Sequence, residues 1–336
     1  MSNYILRGNF PYITPNTHFF NKSFRILLSY RAIARNFSYN ITITVLCRII
    51  IGVLRCFENP TGSSIQNYVI LHLYEKDCHT GIELLGTFNT IFNFICQEIR
   101  SFLGAIAFYT IIPVPIAWPD FGRIARWIPL VGLFLGLILV LLDITLAGLG
   151  MPPLTRAVVL VGVWVYLTGG LHLDGVSDTA DGLAVTDPPR RLAVMADSVT
   201  GAFGVMAVTM VLLLKIAALT DLSDNRALAL ILAPIWGRWG QVMAIALYPY
   251  LKPTGKGAFH KVAFCLPWDC GGVIWGLIAL FGGLRWGIIA ISAGIALALL
   301  TGYWLYRRLR GHTGDTYGAV VEWTEALFLV FLTIIS

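Results

Sequence analysis

The sequence predicts an all-α, polytopic integral membrane protein with about six to seven transmembrane helices. Of its 336 residues, 57% are hydrophobic and only 12% are charged, whereas an ordinary soluble domain carries roughly a quarter charged residues. The mean hydropathy is +0.74. The apolar residues also form runs that approach the roughly 20 residues a membrane-spanning helix needs. These observations exclude a soluble globular enzyme.

The composition of the chain changes near residue 97. Residues 1–97 mix polar and apolar segments, and no apolar run among them is long enough to span a membrane. We therefore expect residues 1–97 to be an atypical, poorly structured N-terminal extension without chemistry. Residues 98–336 are expected to form the membrane domain.

Apolar runs beyond residue 98 define the predicted spans. The first, Phe102–Trp118, is interrupted by Pro113 and Pro115, which favours a kinked or re-entrant segment at the membrane interface. The later runs are predicted to cross the membrane. They are Trp127–Gly150, Arg156–Leu171, Val199–Leu219, Arg226–Tyr248, Gly271–Gly283, Trp286–Tyr306 and Gly318–Ile335.

Basic residues are distributed unequally between the two sets of loops that these spans would create. One set carries Arg123, Arg126, Arg190, Arg191, Lys252, Lys256, Lys261, Arg307, Arg308 and Arg310, and the other carries Arg156, Arg226 and Arg285. Cytoplasmic loops of membrane proteins are enriched in Lys and Arg, so the first set is predicted to be cytoplasmic. Because topology accounts for these charges, the net charge of +6 requires no nucleic-acid partner.

The stretch Gly169–Leu183 carries the clearest chemical signal. Its aspartates Asp174, Asp178 and Asp181 are spaced i, i+4 and i+7, which places them within roughly 60° of arc on a helix. Three like charges on one helix face repel one another, and a Mg²⁺ ion bound together with substrate phosphates relieves that repulsion. We therefore predict that these three residues are catalytic and bind Mg²⁺. The alternative is a solvated helix face, or acids paired with the basic residues of the next loop.

A second group lies at the start of the next predicted span, within Asp197–Gly204. Asp197, Ser198 and Gly201 stand where free backbone N–H groups and the positive end of a helix attract phosphate. They are predicted to bind substrate phosphate. The alternative is an ordinary helix cap.

A third group precedes and enters the last predicted span. Asp315 lies within Gly311–Gly318, and Glu322 and Glu325 follow in the first turns of the helix. Acids inside or at the rim of a span are costly and usually mark a site. These three residues are predicted to contribute to substrate binding at the same face.

Two basic residues are candidates for phosphate binding. Lys252 lies on the predicted cytoplasmic face, where its charge could neutralise a pyrophosphate. Arg238 falls near the middle of its predicted span, so it needs a partner. That partner could be Asp143 or a substrate phosphate.

At these residues the sequence resembles the cobalamin synthase family, the adenosylcobinamide-GDP ribazoletransferases. The resemblance extends over about residues 98–336. It rests on Gly169–Leu183, on Asp197–Gly204, on Tyr248-Pro249-Tyr250 followed by Gly255 and Gly257, and on Gly314–Ala319 with Glu322 and Glu325.

The resemblance implies an integral membrane enzyme that uses Mg²⁺. The implied reaction joins adenosylcobinamide-GDP to α-ribazole, or to its 5′-phosphate. A ribose hydroxyl attacks the cobinamide-side phosphate, GMP leaves, and adenosylcobalamin or its 5′-phosphate forms. The implied location is the inner membrane of a prokaryote, with the lipid bilayer as surroundings and the catalytic motifs on the cytoplasmic face.

Two other functions are compatible with acids near a membrane. A CDP-alcohol phosphotransferase also uses spaced aspartates, but its motif needs a second Asp-x-x-x-Asp pair, and Asp181 follows Asp178 too soon to begin one. An ion-coupled transporter would place acids near the bilayer midplane and show repeated halves. The sequence contains no evident internal repeat.

Overall fold

A computed structural model of the protein describes residues 80–114, 123–223, 225–252 and 287–335. Within these ranges the regular structure is helical, which confirms the all-α class. A 3₁₀ turn at Ile124–Trp127 precedes the second helix. The α-helices are α1 (Thr80–Tyr109), α2 (Ile128–Gly148), α3 (Pro153–Leu167), α4 (Leu171–Ala184), α5 (Pro188–Val194), α6 (Ala202–Asp221), α7 (Arg226–Leu247), α8 (Gly287–Leu309) and α9 (Gly314–Ile335).

Five helices of the described ranges are long and apolar enough to cross a membrane. They are α2 together with its preceding turn, α6, α7, α8 and α9. Helices α3 and α4 meet this criterion only as a pair bent by 90°, which would make a sixth span. The prediction of a polytopic membrane protein is therefore confirmed. The predicted span Gly271–Gly283 lies outside the described residues.

A sharp break separates α3 from α4. Gly169 and Gly170 have φ values of +62° and +69°, in the left-handed region that side chains other than glycine rarely adopt. The span predicted at Arg156–Leu171 therefore ends at Leu167 and begins earlier, at Pro153. Because of this break, α4 turns away from the direction of α3.

Helix α7 is the core of the bundle. In its most apolar stretch 83% of the residues are buried, compared with 28% in α6. It packs against α2, α8 and α9. The outer side of α6 exposes Phe203, Met206 and Met210, so this side is suited to contact lipid.

Two glycines allow α2 to pack closely against α7. A Cβ atom at Gly136 would lie 2.7 Å from the Leu230 carbonyl oxygen, and one at Gly132 would overlap the Pro234 carbonyl. Pro234 has no N–H to donate to the Leu230 carbonyl one turn earlier. Small residues spaced by four let helix backbones approach in membranes, and here they fix the contact between α2 and α7.

We expect Gly132→Val to lower the free energy of unfolding by about 1–3 kcal/mol, because the added atoms must push two backbones apart. Gly162→Val in α3 is the matched control, since a Cβ atom at Gly162 meets nothing within 4 Å. Thermal unfolding in detergent measures both variants. Equal midpoints for the two would contradict the close packing.

A buried charged cluster joins three helices at one end of the bundle. Asp143 Oδ1 of α2 lies 2.9 Å from Arg156 Nε of α3 and 3.0 Å from Arg226 Nε of α7. Asp143 was one of the two partners considered for Arg238, and that alternative is wrong, because Arg156 and Arg226 occupy this carboxylate. Since α7 begins at this end, Arg156 and Arg226 share one end of the bundle, as the loop assignment requires.

The N-terminal part of the chain is described only in part. Helix α1 begins at Thr80, so the predicted boundary near residue 97 falls inside a helix. Residues 1–79 lie outside the described residues, and the prediction of a poorly structured extension stays a prediction. The predicted segment Phe102–Trp118 runs along α1 to Tyr109, and its end likewise lies outside them.

Candidate active site

The three predicted aspartates lie on α4, a helix of 14 residues. Asp174 is exposed, whereas Asp178 and Asp181 are half-buried. The helical spacing expected from the sequence is therefore present. The structure nevertheless separates the three carboxylates into two environments.

Close packing of α4 against the start of α9 brings a fourth carboxylate to this face. A Cβ atom at Gly175 would overlap the Asp315 carbonyl, and one at Gly318 would lie 3.0 Å from the His172 Cα atom. Glycines at both positions therefore let the two backbones cross closely. As a result Asp315, at the first turn of α9, lies beside the aspartates of α4.

A reciprocal cap fixes where α9 begins. The Thr316 N–H donates to Thr313 Oγ1 at 3.3 Å, and the Thr313 N–H donates to Thr316 Oγ1 at 2.8 Å. This arrangement is that of a capping box, with threonine in the place of the usual Glu or Gln. Because of it α9 begins at Gly314, before the Gly318 start expected from apolar character.

Lys252 reaches the same carboxylates through a short backbone pairing. The Leu251 N–H donates to the His312 carbonyl at 2.8 Å, and the His312 N–H donates to the Pro249 carbonyl at 2.9 Å. This pairing places Lys252 Nζ 3.0 Å from Asp315 Oδ2. Lys252 and Asp315 therefore form an ion pair, and substrate binding by either residue stays a prediction.

Negative charge accumulates around Asp178, which lies on α4 outside the five helices that can each span a membrane. Partial burial, together with the nearby carboxylates of Asp174 and Asp315, raises the pKa of Asp178 to about 6, and the Lys252 ammonium opposes this effect. We call Asp174, Asp178 and Asp315 the acid cluster. Its three carboxylates face one ammonium group, so the cluster is suited to a further cation.

Asp181 has a different environment, at the start of α6. Its Oδ2 accepts the Gly201 N–H at 2.6 Å, and its Oδ1 accepts the Gly204 N–H at 2.8 Å. A carboxylate at a helix N-terminus satisfies free donors and the helix dipole. The N–H group of Gly201 that was expected to bind phosphate is therefore occupied by Asp181.

The other two residues of that predicted phosphate site lie in the loop before α6. Asp197 and Ser198 are both exposed. Asp197 Oδ1 accepts the Val199 N–H at 3.2 Å. Aspartate commonly forms a local turn through this hydrogen bond to the backbone two residues later. Their role in phosphate binding stays a prediction.

A buried network of four charges lies deeper in the bundle. Lys215 Nζ of α6 lies 2.7 Å from Glu322 Oε2 and 2.5 Å from Glu325 Oε2 of α9. Arg238 Nη1 of α7 lies 2.6 Å from Glu325 Oε1. We call these four residues the buried charge network, and their formal charges sum to zero.

The expected placement of Glu322 and Glu325 at the membrane face is wrong. Because α9 begins at Gly314, Glu325 lies about three helical turns inside it. Glu322, Glu325 and Arg238 are all almost completely buried, and each has a charged partner within the network. Substrate binding by these three residues stays a prediction.

Lys215 is the residue that sequence reasoning did not connect to this network. It is 1% exposed, and its Nζ also lies 4.3 Å from the centre of the Trp164 ring. A lysine inside an apolar span is costly without partners. Because Glu322, Glu325 and Arg238 also lie inside spans, this cost could have indicated from the sequence that Lys215 pairs with them.

The acid cluster consists of carboxylates, the oxygen ligands that Mg²⁺ prefers. Within the described parts of the chain, no three acidic, histidine or cysteine side chains converge closely enough to hold a metal ion by themselves. Mg²⁺, however, is commonly bound by one or two carboxylates, with water and substrate phosphates completing its shell. Asp174 is exposed and Asp178 and Asp315 are half-buried, so the acid cluster is open to a shared site of this kind, and Mg²⁺ binding there stays a prediction.

Comparisons with known proteins converge on one family. The family model described as cobalamin-5-phosphate synthase matches residues 101–333. A protein of Trichormus variabilis is 53% identical over 253 residues, covering 70% of this chain and 97% of the relative. A protein of Synechocystis sp. is 53% identical over 244 residues, covering 69% and 94%, and one of Prochlorococcus marinus is 36% identical over 251 residues, covering 70% and 96%. Each is named adenosylcobinamide-GDP ribazoletransferase. No solved structure matches the chain.

Proposed function

The chain belongs to the cobalamin-5-phosphate synthase family, and we propose that it is an adenosylcobinamide-GDP ribazoletransferase. A ribose hydroxyl of α-ribazole, or of its 5′-phosphate, forms a bond to the cobinamide-side phosphorus of adenosylcobinamide-GDP. The bond from that phosphorus to the bridging oxygen breaks, and GMP leaves. The observation that carries this proposal is the acid cluster, which lies entirely within the matched residues.

Each residue of the site has a role in this reaction. Mg²⁺ bound by Asp174 and Asp178 would neutralise pyrophosphate oxygens and stabilise the charge that develops on GMP. Lys252 exchanges its contact with Asp315 for a phosphate oxygen, and a carboxylate of the acid cluster accepts the hydroxyl proton. Asp181 acts as a positioning residue that fixes the start of α6.

The proposed location is a bilayer, the inner membrane of a prokaryote, with the acid cluster on the cytoplasmic side. Support comes from the five candidate spans and from the charges at the two ends of the bundle. Arg191 and Arg308 lie at the end that carries the acid cluster, where the Arg191 guanidinium donates to the Arg308 carbonyl. Among the described residues, Arg156 and Arg226 lie at the opposite end of the bundle.

The experiment that tests the function is release of GMP from adenosylcobinamide-GDP by purified protein in detergent. Release is expected only when both α-ribazole and Mg²⁺ are present. Release without an acceptor would indicate a hydrolase instead. An absence of release by folded protein would contradict the proposed transferase.

Mg²⁺ binding is expected to depend on the donor substrate, because the acid cluster alone supplies too few ligands. Calorimetric titration of Mg²⁺ should show weak binding to the protein alone. Adding adenosylcobinamide-GDP without acceptor should lower the Kd for Mg²⁺ by at least about tenfold. A change of this size corresponds to one further ligand interaction. A titration of the donor without protein corrects for its own Mg²⁺ binding.

The Asp178→Asn variant should no longer bind Mg²⁺ more tightly when the donor is added. The Asp187→Asn variant, changed at an exposed residue, should still do so. Tight Mg²⁺ binding without donor, unchanged by Asp178→Asn, would place the metal elsewhere.

A further inference from the structure

A cavity of about 600 Å³ opens between the first turns of α4 and the first half of α6. Its apolar wall includes Leu173 of α4 and Val205 and Val208 of α6. Its polar wall includes Asp174 and Ser177. The cavity therefore adjoins the acid cluster through Asp174, which belongs to both.

The glycine turn before α4 contributes to the cavity. Gly169 and Gly170 line it, and a Cβ atom at Gly170 would meet nothing within 4 Å. Their positive φ values exclude most side chains from this turn. The backbone that breaks the span thus also keeps this wall of the cavity open.

Ser177 supplies an unmet hydrogen-bonding group. The residue is only 7% exposed, and its buried hydroxyl has no hydrogen-bond partner within the described residues. Buried hydroxyl groups are normally hydrogen-bonded. Ser177 also lines the cavity, so a rotation of its side chain would turn the hydroxyl toward a bound ligand that supplies the missing partner.

We propose that this cavity binds the acceptor nucleoside, a planar base linked to a ribose; this inference rests on the proposed function. The volume lies in the range of small-molecule sites, roughly 300–1,000 Å³, and suits a nucleoside but not the much larger corrinoid donor. Val205 and Val208 provide an apolar surface for the base. Asp174 and Ser177 provide hydrogen bonds for ribose hydroxyl groups, next to the acid cluster, where Mg²⁺ would bind together with the donor pyrophosphate.

The test uses Val208→Trp, which fills the cavity, and Met210→Trp as the matched control. Met210 lies on the same helix, is exposed and does not line the cavity. Val208→Trp should raise the KM for α-ribazole on the order of tenfold or more. The KM for adenosylcobinamide-GDP should stay within about twofold, and Met210→Trp should change neither value.

Ser177→Ala provides a second, milder variant in case Val208→Trp fails to fold. Loss of one hydrogen bond should raise the KM for α-ribazole about threefold to tenfold. An unchanged acceptor KM in both variants, or a raised donor KM instead, would overturn the assignment of the cavity. Failure of the wild-type protein to release GMP would refute the proposed function, so the two failures are distinguishable.

Discussion

Asp178→Asn is expected to reduce GMP release by about 100- to 1,000-fold, the usual effect of removing one preorganised charge-stabilising group. Asn keeps the size of the side chain but cannot carry the negative charge that attracts a cation. Asp178 is also the carboxylate on which the charges of Asp174 and Asp315 act. Its loss should therefore affect the site more than the loss of any acid in the nearby loops. Initial rates with saturating substrates and Mg²⁺ measure the effect.

The matched control is Asp187→Asn. Asp187 is exposed after α4 and makes no side-chain cap to α5, so its replacement should leave the rate near that of the wild type. Thermal unfolding should give similar midpoints for both variants, which separates a catalytic loss from misfolding. Near-wild-type activity of Asp178→Asn would refute the assignment of the acid cluster.

Lys215→Met is expected to lower the free energy of unfolding by about 3–5 kcal/mol, because it leaves a buried carboxylate without its cation. Glu322 loses its ammonium partner, and Glu325 keeps only Arg238. Met retains most of the apolar volume, so the loss reports on charge rather than on packing. Unfolding in detergent by heat or denaturant measures the change.

A second substitution tests the electrostatic cause of this loss. The double variant Lys215→Met/Glu322→Gln should recover part of the stability, because it removes one of two like buried charges. Lys252→Met is the control, since the Lys252 side chain is 31% exposed and its surface ion pair should contribute less than about 1 kcal/mol. A Lys215→Met protein as stable as the Lys252→Met protein would contradict the buried charge network.

Much of the fold could be predicted from the sequence because membrane spans follow from local composition. Within the described residues, the ends of the five helices that can span a membrane lie within a few residues of the ends of predicted spans. These helices are α2, α6, α7, α8 and α9. The helical spacing of Asp174, Asp178 and Asp181 is likewise a local property. Both predictions need only the geometry of one helix and the apolar interior of a bilayer.

The residues of the site could be predicted only in part, because the spacing of residues within one helix does not determine which other helices it contacts. Asp315 joins the acid cluster since glycines on α4 and α9 let two backbones cross closely. The Asp181 carboxylate, on the same helix, instead accepts two N–H groups of α6, and its binding of Mg²⁺ stays a prediction. Neither outcome follows from spacing along α4.

The sequence by itself determined an all-helical membrane protein with an acidic helix next to a span, because hydropathy and helical periodicity are properties of short segments. Only the tertiary structure decided which charges meet in the acid cluster and which neutralise one another inside the bundle. Glu322, Glu325 and Arg238 looked like members of the site, yet they lie inside the bundle with Lys215. A buried charge must find an opposite charge in an apolar interior, and the packing of α6, α7 and α9 determines which one it meets.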